Sequence, residues 1–247
     1  SNISLPDVVF GCDITADNST TYMSFFSQMD TYGDGYAGIG VWRAAFKPLV
    51  DRIADTDIRL QWFCCDRSTG VTDASGNRIT LIRDTQSPVA VEYQAVKFIG
   101  TGRDNIKAGV FSGWELGDYI YLRSEEAYMI KMEALAHKGS AEAVTELNSF
   151  MKTRQPDYNY TFTNKADLIE EIIYQKRVEF WGEGLEYIDN RRLNIPVDRT
   201  DETWGAENNN HLSAGKFRYN QEDRPFLYQL PLSEIENNSQ LSPSDQN

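Results

Sequence analysis

From Tyr119 onward, apolar residues recur at steps of three and four, and this rhythm constrains the fold more than any other feature of the chain. Tyr119, Leu122, Met129 and Ile130 keep helical phase through Ala136, so one face of a helix can be buried while the other stays in water. Gly139 is placed to end that helix, since a residue without a Cβ turns easily into the left-handed conformation of a helix C-terminus. Ser140 can then cap a second helix, whose apolar stripe is Ala143, Val144, Leu147, Phe150 and Met151. So short a joint forces the two helices to run antiparallel, as in one tetratricopeptide unit. One such unit cannot bury both its faces and needs neighbours. A further helix is expected over residues 164–184. Asn164 or Thr163 caps it, Asp167 sits in its first turn, and Leu168, Ile169, Ile172, Ile173 and Phe180 form its face.

The first 118 residues have a different texture. Val8, Val9 and Phe10 make a short extended run. Residues 30–40 hold Gly33, Gly35, Gly38 and Gly40, too many for regular structure, so an irregular loop is expected. Residues 42–51 read as a short helix troubled by Pro48. Residues 58–83 read as a broad hairpin and 96–99 as a further short strand. Beyond the helices, 196–224 reads as a polar loop and 226–232 as extended chain. The expected fold is mainly α: tetratricopeptide-type helical hairpins in residues 119–247, with a loop-rich region of a few short strands in residues 1–118.

Charge and composition exclude several functions. Lys plus Arg number 24 against 37 Asp plus Glu, a net charge of −13, which opposes binding to nucleic-acid phosphates or an anionic membrane surface. No apolar run is long enough for a membrane span. Cys12, Cys64 and Cys65 with two His make no metal pattern, so neither metal nor cofactor is expected. Cys12 follows a stretch that faintly mimics a lipoprotein signal, but Pro6 and Asp7 interrupt it. His137 and His211 stand in unrelated contexts, no Ser/His/Asp set is visible, and the glycines at 33–40 precede no Lys-Ser/Thr, so no catalytic residue is assigned.

Two phrases near the C-terminal end carry the identity. One runs Gln175-Lys176-Arg177-Val178-Glu179-Phe180-Trp181-Gly182-Glu183-Gly184 and continues to Asp189 and Arg192. The other is Tyr228-Gln229-Leu230-Pro231-Leu232-Ser233-Glu234-Ile235. Upstream stand Tyr121-Leu122-Arg123, Glu125-Glu126-Ala127, Met132-Glu133-Ala134, Leu147-Asn148 and Arg154, with hints at Asp57-Ile58-Arg59 and Lys97-Phe98. Together these phrases resemble the C-terminal half of the SusD/RagB family of surface glycan-binding lipoproteins, most strongly over residues 119–192 and 226–247. Members are usually longer and begin with helical repeats, so the chain reads as the C-terminal portion of a larger polypeptide. The spacings of Glu133, Arg177, Glu179 and Arg192 allow ion pairs that fix helix docking, because arginine grips a carboxylate through two hydrogen bonds.

The resemblance implies non-catalytic capture of a glycan and its delivery to a SusC-like TonB-dependent transporter, at the outer membrane, lipid-anchored through an N-terminal segment. A pure interaction module docking the transporter is the alternative reading, and a glycoside hydrolase a third. The glycan platforms are expected among loop aromatics, because ring faces stack on pyranoses while polar neighbours bond hydroxyls. Tyr32, Tyr36 and Trp62 are the candidate platforms and Asp34 and Arg67 the polar candidates, all in the loop-rich part. Trp42, Trp114, Tyr158, Tyr160 and Trp204 are further rings in or near loops, each taken singly better explained by ordinary packing.

Overall fold

In the computed structural model, residues 4–18, 24–30, 35–37, 43–64, 93–98, 100, 116–223 and 227–245 are described. In chain order the elements are strand β1 (Val8–Cys12), helices α1 (Phe25–Met29) and α2 (Lys47–Asp51), and strands β2 (Phe63–Cys64), β3 (Gln94–Ala95) and β4 (Tyr119–Arg123). Then come helices α3 (Ser124–His137), α4 (Glu142–Met151), α5 (Lys165–Glu179) and α6 (Leu185–Leu193). Strand β5 (Val197–Asp198), helix α7 (Asp201–Trp204), strand β6 (Arg218–Tyr219) and helix α8 (Leu232–Asn237) complete the set. The protein is mainly helical. It divides into two compact units, Ser1–Glu179 and Phe180–Asn247.

The helical hairpin forms as its sequence dictates. Gly139 adopts φ +72°, and the N–H groups of Gly139 and Ser140 bond back to the carbonyls of Ala136 and Leu135, a Schellman closure of α3. The Ser140 hydroxyl accepts from the Glu142 N–H at 3.3 Å and so helps start α4. Asn164 accepts from the Asp167 N–H at 3.0 Å and starts α5. Met129, Met132, Glu133 and Ala136 form the buried stripe of α3, and Ala143, Leu147 and Met151 that of α4. Helix α3 packs on both α4 and α5, with Leu168, Ile172, Ile173 and Val178 supplying the face of α5. Burying such side chains stabilises the unit by about 1.5–3 kcal/mol each.

Three local expectations are corrected. The helix expected from Tyr119 begins at Ser124, because residues 119–123 pair antiparallel with β1. That segment's apolar residues suit a strand as well as a helix, and the distant partner decides. The first arm of the hairpin expected over 58–83 is mostly a 3-10 turn, Ile58–Trp62, because the Asp57 carboxylate accepts from the Arg59 N–H at 2.9 Å and tightens the chain. Only Phe63–Cys64 is extended, and its partner is Gln94–Ala95. The return strand expected near 79–82, and Ile99 of the strand expected at 96–99, lie outside the described residues, while paired strand β3 ends at Ala95. In α2, Pro48 sits in the first turn, where its missing N–H costs nothing, so it opens the helix.

Several aromatic rings meet one another. Phe25 meets Phe98 edge-on at 4.9 Å and Tyr119 at 5.8 Å, and Phe10 meets Tyr121 at 5.6 Å.

The second unit corrects two more boundaries. Helix α5 stops at Glu179, and after Gly182 and Gly184, both at positive φ, a separate helix α6 begins. Asn194 closes α6 in the left-handed conformation, φ 55°, with the Ile195 N–H bonding back to the Asn190 carbonyl. The expected polar loop at 196–224 contains α7 and an antiparallel pair, Val197 opposite Tyr219 and Asp198 opposite Arg218. Lys216 bonds Asp201 and Arg218 bonds Asp198 there. Two-residue strands are too short to show an alternating pattern, so sequence periodicity could not have found them.

Candidate functional site

The C-terminal end of α5 is held by a buried knot of charge. Glu179 sits at its centre, 1% exposed, and accepts from three arginines. Arg154 reaches it through Nε at 3.2 Å and Nη2 at 3.0 Å, Arg123 through Nη1 at 3.0 Å and Arg59 through Nη1 at 3.4 Å. Asp57 binds Arg59 through both carboxylate oxygens, and Glu125 lies 3.2 Å from Arg154 and 3.4 Å from Arg123. Three arginines thus face three carboxylates. Burial by itself would raise the Glu179 pKa, but the Arg154 hydrogen bonds and charge, with the charges of Arg59 and Arg123, hold it down at about 2. The Glu179 carbonyl, an orphan acceptor at the end of its helix, takes hydrogen bonds from Arg123 at 2.9 Å and Lys97 at 2.7 Å. Of the residues whose spacing promised ion pairs, Glu179 therefore docks helices as expected. Arg192 pairs with Asp189 of its own helix at 2.7 Å, and Glu133 lies 3.6 Å from His137 one turn on.

A pocket of about 350 Å³ opens beside this knot. The loop after α2 supplies Arg52 and Asp57, the loop after α4 supplies Gln155, Tyr158, Asn159 and Tyr160, and α5 supplies Glu171, Tyr174 and Gln175. Glu171, Gln175 and Glu179 follow one another at four-residue steps, so one stripe of α5 links pocket to knot. Glu171 organises the wall: it accepts from Tyr158 at 2.8 Å, from Gln175 at 2.7 Å and from Arg52 at 2.6 Å. Gln175 in turn accepts from Arg59. The Arg52 guanidinium lies over the Tyr174 ring, its Cζ 3.8 Å from the ring centre. Burial pushes the Tyr158 hydroxyl well above its ordinary pKa, and the Glu171 charge adds to this, so Tyr158 stays a donor at neutral pH. Burial likewise raises the Tyr174 hydroxyl despite Arg52. Aromatic faces beside fixed hydrogen-bonding groups are the features that a small, hydroxyl-bearing ligand would use. Among the described residues, no group of three or more His, Cys, Asp or Glu could hold a metal ion.

The sequence profile of the SusD family matches residues 93–247, the stretch that carries the hairpin, α5 and the second unit. The chain belongs to the SusD family. No curated protein matches it. Among solved structures it is similar to a SusD-like carbohydrate binding protein from Bacteroides vulgatus, with a TM-score of 0.66 and 21% identity over 97% of this chain and 49% of that one. A SusD superfamily protein from the same organism matches with a TM-score of 0.60 and 16% identity, over 98% of this chain and 46% of that one. A SusD-like protein from Bacteroides fragilis matches with a TM-score of 0.57 and 18% identity, over 100% of this chain and 55% of that one. The chain thus spans about half the length of these SusD-like proteins, and it shares their fold.

Against that fold the expected platforms fall differently. Tyr32, Asp34 and Arg67 lie outside the described residues. Tyr36 is 43% exposed, next to Ala37, whose N–H bonds the Ser27 carbonyl at 2.8 Å. Gly35 lets this loop press on α1, since a Cβ there would come within 2.5 Å of the Ser27 Cα. Tyr36 is therefore an exposed ring on a firm seat. Trp62 is partly buried, and the Lys97 ammonium lies 4.8 Å from the centre of its ring, so that face is taken. Tyr158 and Tyr160, noticed only as loop rings, converge on the pocket, whereas Trp204 spends its indole N–H on the Asp198 carbonyl at 2.9 Å. Sequence reasoning singles out neither Arg52 nor Tyr174; the four-residue spacing of Glu171, Gln175 and Glu179 is the one signal in the sequence for this face of α5.

Proposed function

We propose that this SusD-family chain serves non-catalytic capture of an oligosaccharide at the outer-membrane surface, where it is lipid-anchored, and delivery of that glycan to a SusC-like TonB-dependent transporter. The profile match over residues 93–247 carries this reading. The structural likeness to a protein described as carbohydrate binding supports it. Tyr32, Tyr36 and Trp62 are the proposed platforms, with Asp34 and Arg67 as hydroxyl partners, and the exposed Tyr36 ring is the strongest of these. Hydrolysis has weaker support. It needs two carboxyl groups free to act across a bond, whereas Asp57 and Glu171 in the pocket are spent on Arg59, and on Arg52, Tyr158 and Gln175.

One observation favours the interaction-module alternative. Val9, Phe10, Tyr121 and Leu122 are exposed together on the paired strands β1 and β4, an apolar ribbon of the kind that marks contact surfaces. Calorimetric titration with starch, mucin, N-glycan and plant oligosaccharides separates the readings. Binding without release of shorter sugars supports capture. Absence of binding to every glycan, with retention on a SusC-like transporter, replaces it with the interaction module. Release of shorter products, lost on substitution of a carboxylate, replaces it with hydrolysis.

A further inference from the structure

Resting on the glycan reading, we infer that the pocket between the loops at 52–57 and 155–160 and helix α5 is itself a seat for an uncharged sugar, in addition to the loop platforms. Its volume of about 350 Å³ lies at the lower end of small-molecule sites, which suits a short saccharide unit. The walls supply what a pyranose uses: the rings of Tyr158 and Tyr160 for its C–H faces, and polar groups for its hydroxyls.

Two of those polar groups are unspent. Among the described residues the buried Tyr160 hydroxyl has no hydrogen-bond partner, and the exposed Asn159 side chain makes no hydrogen bond. An unpaired buried hydroxyl is costly, and a turn of the Tyr160 ring would bring it to a ligand hydroxyl, while the exposed Asn159 amide is already open to one. The backbone around Tyr160 is fixed in advance, because Asn148 accepts from the Tyr160 N–H at 2.7 Å and donates to its carbonyl at 3.0 Å. Little ordering remains to be lost on binding.

The charges of the wall, by contrast, are already matched. Arg52 is paired with Glu171, and Asp57 with Arg59 behind the wall. An anionic sugar would meet the carboxylates of Glu171 and Glu170 beside Arg52, and a cationic ligand would meet Arg52 itself. A neutral, hydroxyl-rich ligand disturbs neither pair, which assigns the class.

Saturation-transfer NMR titration of the full chain tests this with methyl glucoside, methyl mannoside, methyl galactoside, methyl N-acetylglucosaminide and glucuronate. At least one neutral glycoside is expected to bind. Asn159→Ala and Tyr160→Phe are each expected to weaken it roughly three- to tenfold, the fold-change of one neutral hydrogen bond. Ile130→Ala, on the exposed side of α3, is expected to leave that affinity unchanged. Tyr160→Phe removes only an unpartnered hydroxyl, so its fold is retained, which circular dichroism verifies. Unchanged affinity in both pocket variants overturns the proposal, as does tighter binding of glucuronate than of every neutral glycoside. If the small glycosides fail but a longer oligosaccharide binds and depends on Tyr36, the pocket proposal falls and the capture reading stands. If nothing binds at all, both fall.

Discussion

Arg154 holds Glu179 by two parallel hydrogen bonds, Nε to one carboxylate oxygen at 3.2 Å and Nη2 to the other at 3.0 Å. The pair ties the loop after α4 to the end of α5, and Arg59 and Arg123 join it from two further segments. Replacing the carboxylate by an amide leaves these guanidinium groups short of a counter-charge in a dry place. Glu179→Gln is therefore expected to cost about 3–5 kcal/mol of stability, the scale of breaking a buried pair from one side. Urea denaturation measures it, and a loss below about 1 kcal/mol would mean that the knot contributes specificity and little stability.

The same carboxylate sets a pH dependence. Its folded-state pKa is about 2, against an ordinary 4.5. A lowered folded-state pKa stabilises the protein fully above the unfolded value, and the contribution disappears as pH falls from 4.5 towards 2. The shift corresponds to about 3 kcal/mol. Stability measured from neutral pH downward should drop through this window, and Glu179→Gln should flatten that drop. Parallel acid slopes in the two proteins would assign the acid sensitivity to other groups.

Neighbours on α3 should behave oppositely. Met129 is fully buried and Ile130 is 51% exposed. Met129→Ala is expected to cost about 2–5 kcal/mol through the cavity it leaves. Ile130→Ala should stay within about 0.5 kcal/mol. Equal losses in thermal or chemical denaturation would contradict the placement of the hairpin's inner face.

Asn194 tests the closure of α6. At φ 55° a β-branched side chain is strained, whereas glycine is not. Asn194→Val should cost about 1–2 kcal/mol and Asn194→Gly should be close to neutral. A tolerant response to valine, read by thermal denaturation, would show that this turn opens without consequence.

For glycan capture, Tyr36→Ala should cost about 1–3 kcal/mol of affinity for whichever oligosaccharide binds, the scale of losing a large apolar contact. Trp62→Ala should cost less, because Lys97 already occupies one ring face. Calorimetry on folded variants compares them, and full retention of affinity in Tyr36→Ala would remove that platform.

What the sequence alone determined is local or written in motifs. Met129 and Ala136 on α3 and the stripe Ala143, Leu147, Met151 follow from helical spacing, although that spacing also counts Ile130, which the structure leaves exposed while burying Met132, and Gly139, Ser140 and Asn164 mark ends that turn geometry demands. The phrases around Glu179 and Tyr228 were enough to place the family, which the profile match over 93–247 bears out. Tertiary structure decided everything that needed a distant partner. Tyr119–Arg123 is a strand because Val8–Cys12 lies beside it, over a hundred residues away in the chain. Arg59 is buried because Asp57, Gln175 and Glu179 together match its charge and its donors, and no single stretch contains that set. The pocket gathers Arg52, Tyr158 and Tyr174 from three separated segments. Periodicity reports which face of an element is dry, but pairing across a fold depends on which elements close on each other. That choice is made by long-range burial and charge balance, which no short window of residues can display.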